Sequence, residues 1–337
     1  MSKQNQLDLI IEKKSRSSTW VYAGLGELST LHNGFTALIS PEPYQISLHV
    51  VAIASCIEAL AKACIKILID EEDSPYLEKA RGFKDLTFDF ELTKALSRKE
   101  ITFGDLVSHN IGISGVDQLS KHFGVLFQGD PGYKDLKHSL ATIREFVEPP
   151  EDFIMEDSGL YEPEYGDLIV SDANALFRDI KDIFASRHIA AHEANFRLVT
   201  AEQLLGWFES AMTFANAMYE IIEQKLHPRA SRSAFGSSVQ AMQNSGVLYS
   251  KIASEWESLF EKWVVEWELD NEEALKLREN ILESDKSFSE HIDKEFDLHH
   301  SRVRLILGNG RRHLEAKIQK MLLETRLEYL KRLRTEV

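Results

Sequence analysis

The apolar positions of residues 44–70 recur at steps of three and four. Ile46, Val50, Ile53, Ile57, Leu60, Cys64 and Ile67 fall on one face, and Glu58, Lys62 and Lys66 form a polar line at four-residue steps. This pattern predicts a long amphipathic helix, ended by Asp70 to Pro75. Residues 83–145 read as short helices broken at Gly104, Gly112, Gly115, Gly124, Gly129 and Gly132. One of these runs from Asp117 to Phe123, with Gly124 as its stop. Asp172 to Phe196 carries a buried stripe of Leu176, Phe177, Ile180, Ile183 and Phe184. Thr200 then caps another helix, with Gln203 in the capping-box position and a stripe from Leu204 through Phe208, Ala215 and Met218 to Ile222. Pro228 follows its end. Residues 228–246 are rich in Ser, Ala, Gly, Asn and Gln and contain no acid, which predicts a linker. Beyond it, Trp256, Phe260, Trp263 and Trp267 fall at steps of four, three and four, a stripe suited to core or to a partner surface. Gly308 and Gly310 separate a helix ending near Leu307 from a last one over Arg311 to Arg334. The N-terminal 42 residues give a weaker signal. Trp20-Val21-Tyr22 suits a short strand and Gly24 and Gly26 a turn. Gly24-Leu25-Gly26 lacks the third glycine and following acid of a dinucleotide-binding loop.

Only 17 Gly and 8 Pro interrupt 337 residues, 43% of them apolar, so the expected fold class is all-α. The same composition excludes a mainly disordered, collagen-like or disulfide-framework chain. Cys56 and Cys64, eight apart in one apolar segment, read as small buried hydrophobes in a reducing compartment. No signal-peptide pattern opens the chain. Glu58, Lys62 and Lys66 within the most apolar stretch argue against a membrane span, so the expected location is cytoplasmic.

Net charge is −15, which argues against coating nucleic acid by bulk positive charge. Glu145 to Asp172 holds ten carboxylates and no Lys or Arg. It reads as a solvated acidic loop, or as a cover over a basic site. The basic stretch Arg302, Arg304, Arg311, Arg312, Lys317 and Lys320 is expected to pair with the acidic helix over 255–300, or to touch RNA phosphates. His291, Asp293, Asp297, His299 and His300 are metal-type ligands without a completing second cluster. No metal or other cofactor is expected. His109, His122 and His138 read as structural or surface residues.

The segment with the richest chemistry is Ser186-Arg187-His188-Ile189-Ala190-Ala191-His192-Glu193. RNA carries its own nucleophile, the 2′-hydroxyl. Cleavage needs one group to take that proton and another to protonate the leaving 5′-oxygen. An imidazole, with an unperturbed pKa of ~6.5, suits either task. A guanidinium holds two phosphate oxygens and stays charged as the transition state forms. Arg187 and His192 stand about 140° apart on an ideal helix, so one copy of the pair does not easily converge. Arg187 could alternatively bind Glu58 while the two histidines simply pack.

Arginine, a polar residue, and then histidine after four intervening residues resembles the motif of the HEPN superfamily, helical-bundle domains that include metal-independent ribonucleases. The resemblance extends to His49–Leu60 as a long first helix, Lys99–Val107 as a middle segment and Val199–Glu202 as the start of a closing helix. It implies a HEPN-like helical domain over 43–227, followed by the linker 228–246 and a helical C-terminal module over 247–337, with 1–42 unassigned. It further implies an endoribonuclease, of the toxin or phage-defence type, with its site shared across a homodimer. Arg187 would hold the phosphate, His192 would be the acid/base and His188 would orient either. A 2′,3′-cyclic phosphate and a 5′-hydroxyl would be the products, and a protein inhibitor or antitoxin is implied. A non-catalytic dimerisation or protein-binding module is the competing reading.

Overall fold

The computed structural model describes residues 6–16, 23–71, 74–83, 86, 88–150, 162–193, 195–302 and 309–336. Helix covers 76% of the chain and strand almost none, so the fold is all-α. Two compact units divide it. The first comprises residues 1–147 and 165–228, the second 148–164 and 229–337.

The first unit is built on α3, Pro43–Asp70, whose residues from Ile46 to Ile69 supply its buried face. By length and composition α3 could cross a bilayer, yet here that face packs against four other helices. These are α2 (Ala23–Thr36), α6 (Phe103–Asn110), α9 (Ala173–His192) and α10 (Ala201–Leu226). The Glu42–Gln45 capping box starts α3, with Pro43 at its first position. Around them stand α1 (Gln6–Arg16), α4 (Tyr76–Lys79) with a 3₁₀ turn over Ala80–Gly82, α5 (Phe90–Ser97), α7 (Val116–Phe127) and α8 (Leu136–Thr142). Two short strands, β1 (Arg144–Val147) and β2 (Glu164–Leu168), pair at the ends of the acidic segment.

Several expectations change here. Gly24 and Gly26 lie inside α2, not in a turn. The burial of Leu28 and Phe35 on the main core outweighs the roughly 1 kcal/mol cost of each helical glycine. Gly124 likewise does not stop α7, which continues to Phe127 because Leu126 and Phe127 are fully buried. Within the unassigned residues 1–42, the described helices α1 and α2 pack into the first unit. Ile10 of α1 packs with Leu92, Ala95, Ile101 and Leu106, and α2 joins the central core. Trp20–Tyr22 lies outside the described residues.

A polar staple fixes α6 to the end of α3. The Asp70 carboxylate accepts from the Gly104 N–H at 2.7 Å, the Thr102 hydroxyl at 2.6 Å and the Lys66 ammonium. Asp105, one residue on, takes Lys66 at 2.8 Å and Lys14 at 3.4 Å. Burial alone would raise the Asp105 pKa, but the Lys66 bond and the Thr102 donors hold it below the usual carboxylate range.

The second unit is a three-helix assembly of α11 (Ala234–Glu266), α12 (Asn271–Arg302) and α13 (Asn309–Glu336). Ile252, Trp256 and Leu259 meet Leu323, Leu327 and Leu330, with Ile292 from α12. Tyr249 pairs with Gln319 and Lys262 with the Arg334 carbonyl, so α11 and α13 run parallel. The expected linker is mostly helix. Only 227–233 connects α10 to α11, because the Ser233 hydroxyl caps Gly236 at 2.9 Å and the small Ser238 and Ser245 side chains are buried. The last helix begins at Asn309, two residues before the expected Arg311, so Gly310 lies in its first turn, while Leu307 and Gly308 lie outside the described residues. Of the tryptophan stripe, Trp256 is buried, while Trp267 lies beyond the helix end, half-exposed and stacked on Trp263 at 5.2 Å. Of the basic residues expected to pair with the acidic 255–300 stretch, the side chains of Arg302, Arg311, Arg312 and Lys317 and all of Arg304 lie outside the described residues. Lys320 bonds Glu324 on its own helix, and Arg334 further along reaches Glu255 of α11.

Candidate functional site at the end of α9

Asp172 starts α9. Its carboxylate accepts from the Asn174 and Ala175 N–H groups at 2.8 and 3.0 Å. Those bonds, the Ala175 one foremost, hold its pKa below the ordinary aspartate value. Leu176, Ile180, Ile183 and Phe184 then bury one face against α3 and α10. Arg187 lies four residues beyond Ile183, at the margin of that face, and is half-buried. His188 and His192, four residues apart, turn outward and are exposed.

The structure brings the two imidazoles together, with ring centroids 4.8 Å apart and planes inclined by 51°. Among the described residues the Arg187 guanidinium has no hydrogen bond or ion pair. The alternative pairing with Glu58 is not formed, because Glu58 binds Lys62 at 2.8 Å. The helix was expected to reach Phe196 but stops at His192, where the Glu193 N–H closes the last turn on the Ile189 carbonyl at 2.8 Å. The chain then leaves the helix because the Asn195 side chain accepts from the Arg197 N–H. The Phe196 carbonyl, for its part, accepts from the Ser47 hydroxyl at 3.2 Å. His192 therefore sits in the last turn of α9.

The Ser47–Phe196 bond joins the first turn of α3 to the loop after α9. Exposed apolar side chains collect around it: Tyr44 and Leu48 on α3, Phe196 and Leu198 in the loop. Two histidines not singled out for chemistry stand near the same end of α3. His49 lies edge-on to Phe35 at 5.0 Å, and His32 of α2 edge-on to Phe208 at 5.3 Å. No sequence spacing links them, since α2, α3 and α10 bring the rings together only on folding.

The other histidines separate into different environments. The His122 Nε2–H donates to the Gly112 carbonyl, 2.9 Å away, and the ring packs on Phe83, a structural placement. Burial, then Lys13 and Lys62, lower the pKa of His109. His291 is exposed, and the side chains of His299 and His300 lie outside the described residues. Among the described residues no group of three His, Cys, Asp or Glu side chains is arranged to hold a metal ion. Of the acidic segment, residues 151–161 lie outside the described part. Its Glu148 binds Ser231, Arg232 and Ser233 within the second unit. No protein family, curated protein or solved structure matches the chain.

Proposed function

We propose that the chain is a HEPN-like, metal-independent endoribonuclease in which Arg187, His188 and His192 act on RNA as a pair of copies in a homodimer. The observation that carries this reading is an outward-facing pair of imidazoles one helical turn apart, next to a guanidinium that no carboxylate of the described chain neutralises. A phosphate would neutralise it. Because His192 and Arg187 diverge on the helix, a second copy related by a two-fold axis supplies the missing convergence. The exposed Tyr44, Leu48, Phe196 and Leu198 beside the helix end are the apolar surface such a copy would cover. In the dimer the imidazoles move the protons of the 2′-hydroxyl and the 5′-oxygen, and the arginines hold the phosphorane. The cell would then need a protein inhibitor, as a toxin or defence effector does.

Purified protein is incubated with single-stranded RNA in EDTA. Cleavage is expected, with 2′,3′-cyclic phosphate ends and no reaction on 2′-O-methyl RNA. Arg187→Ala and His192→Ala should each lower the rate by a factor on the order of 100 or more with unchanged circular dichroism. Uncut RNA, or undiminished cutting by both variants, rejects the reading.

The net charge of −15 favours one rival, a non-catalytic module that uses the same apolar surface to dimerise or to hold a protein. That rival predicts a stable dimer, intact RNA, and no effect of either substitution on self-association.

A further inference from the structure

Near the far end of α10 from the histidine pair, the chain forms a second feature that the ribonuclease reading does not use. From Ala201 to Lys225, α10 rises about 36 Å at 1.5 Å per residue, so the two places are separate. Here the turn after α7, Gln128 to Asp135, carries Gly129 and Gly132 at φ of 85° and 74°, a left-handed backbone that glycine adopts freely. The turn thereby presents Asp130 inward. Its carboxylate accepts from the Tyr76 hydroxyl at 2.9 Å and from the ammonium groups of both Lys79 and Lys225. Two cations share one anion, so the cluster keeps one positive charge. That charge is three-quarters shielded from water, the Lys225 side chain being 21% exposed and that of Lys79 25%. Lys225 also lies over the Phe127 ring at 4.4 Å.

Lys225 lines an open surface depression of about 350 Å³. Tyr133, His138 and Gln224 add polar groups to its wall, and Ile143 and Ile221 add an apolar floor. No carboxylate lines it, in a chain where acids outnumber bases by 15. Two acids close in sequence to lining residues already accept hydrogen bonds of their own. Asp135 caps α8 through the His138 N–H, and Glu220 accepts from Gln224.

We propose that this depression between α8 and α10 binds a small organic oxyanion, a phosphate or carboxylate ester-sized metabolite whose charged group meets Lys225 and whose apolar body lies on Ile143 and Ile221. The bound anion brings the Asp130, Lys79 and Lys225 cluster to neutrality, which a neutral ligand does not do. Shape and charge together select such a ligand over inorganic phosphate, which leaves the apolar floor in water.

The test is calorimetric titration of the full-length chain with phenyl phosphate, benzoate and the neutral benzyl alcohol. At least one of the two anions is expected to bind roughly tenfold or more tightly than benzyl alcohol. Lys225→Met should weaken that binding by about tenfold or more. Thr142→Phe, at an exposed wall position, should fill the depression and abolish it. Should Lys225→Met fail to fold, Thr142→Phe decides alone. Benzyl alcohol binding as well as the anions, anion binding unchanged in Thr142→Phe, or no anion binding at millimolar concentration overturns the proposal. None of these outcomes bears on RNA cleavage, so the two ideas fail separately.

Discussion

Gly104→Ala tests the staple between α3 and α6 by the sign of its effect. A glycine inside a helix is ordinarily improved by alanine, by roughly 0.8–1 kcal/mol. At Gly104 an added Cβ would lie 2.7 Å from the Cγ and both oxygens of Asp70. The carboxylate is the end of a short side chain already held by Gly104, Thr102 and Lys66, so it moves only by giving up bonds. Lys66 follows it on a flexible stem, while the Gly104 N–H and Thr102 hydroxyl bonds are lost. Charge-assisted bonds are worth about 1.5–3 kcal/mol each when buried. Asp70 is 19% exposed and the freed groups reach water in part, so about 2–3 kcal/mol is a fair total. Subtracting the helix gain leaves a net destabilisation of about 1–2 kcal/mol. Urea unfolding followed by circular dichroism measures it, in a cycle with Asp70→Ala. In the Asp70→Ala background the obstacle is gone, so Gly104→Ala should stabilise by up to about 1 kcal/mol. A stabilising or neutral Gly104→Ala in the wild-type chain, or an equal loss in both backgrounds, refutes the reasoning.

Two further expectations concern titratable groups. Burial works to raise the Asp130 pKa, but the Lys225 and Lys79 bonds reverse it and hold it below the ordinary value, as Lys66 does for Asp105. A depressed carboxylate stabilises the fold above its unfolded pKa of ~3.9, and that contribution is lost as pH falls through the lower folded value. Asp130→Asn and Asp105→Asn should therefore be less stable than wild type at pH 7 and converge on it in acid. Urea midpoints from neutral pH down to about pH 2 check this, and parallel curves would contradict it. Burial, then Glu27, pushes the Cys56 thiol to about 11, and burial pushes Cys64 to about 12. Relative to an ordinary thiol, Cys56 should react with iodoacetamide roughly a hundredfold more slowly in the folded chain, two pKa units below normal thiolate content. Both should label promptly in denaturing urea, and fast labelling of Cys64 before unfolding would contradict its burial.

What the sequence made legible was whatever one helix face decides. The Ile46–Ile67 stripe is visible because α3 keeps a polar line at Glu58, Lys62 and Lys66 to contrast with it. On α10 the contrast is weaker. Trp207, Phe214, Ala217 and Ile221 are buried besides the expected stripe, because the helix packs against α2, α3, α8 and α9 at once. The serine- and alanine-rich 234–246 stretch reads as a linker because small side chains suit both a flexible linker and a close helix contact, and only burial distinguishes them. The sequence shows the Arg187–His192 spacing but not its surroundings. Ser47 lies 149 residues from Phe196 in the chain. The Asp130 cluster was invisible for the same reason, its lysines standing 51 and 95 positions away.

The chain leaves the first unit at Val147, contributes 148–164 to the second, returns at Tyr165, and departs for good after Pro228. During synthesis the excursion that bears Glu148 emerges more than eighty residues before Ser231, Arg232 and Ser233, the groups it will hold. An early-made stretch thus waits, its carboxylate hydrated, until the last third of the polypeptide arrives. Cutting the gene at codon 228 therefore yields no clean halves. The upstream product would carry an orphaned acidic segment, and the downstream one would begin its first helix without the glutamate that secures it.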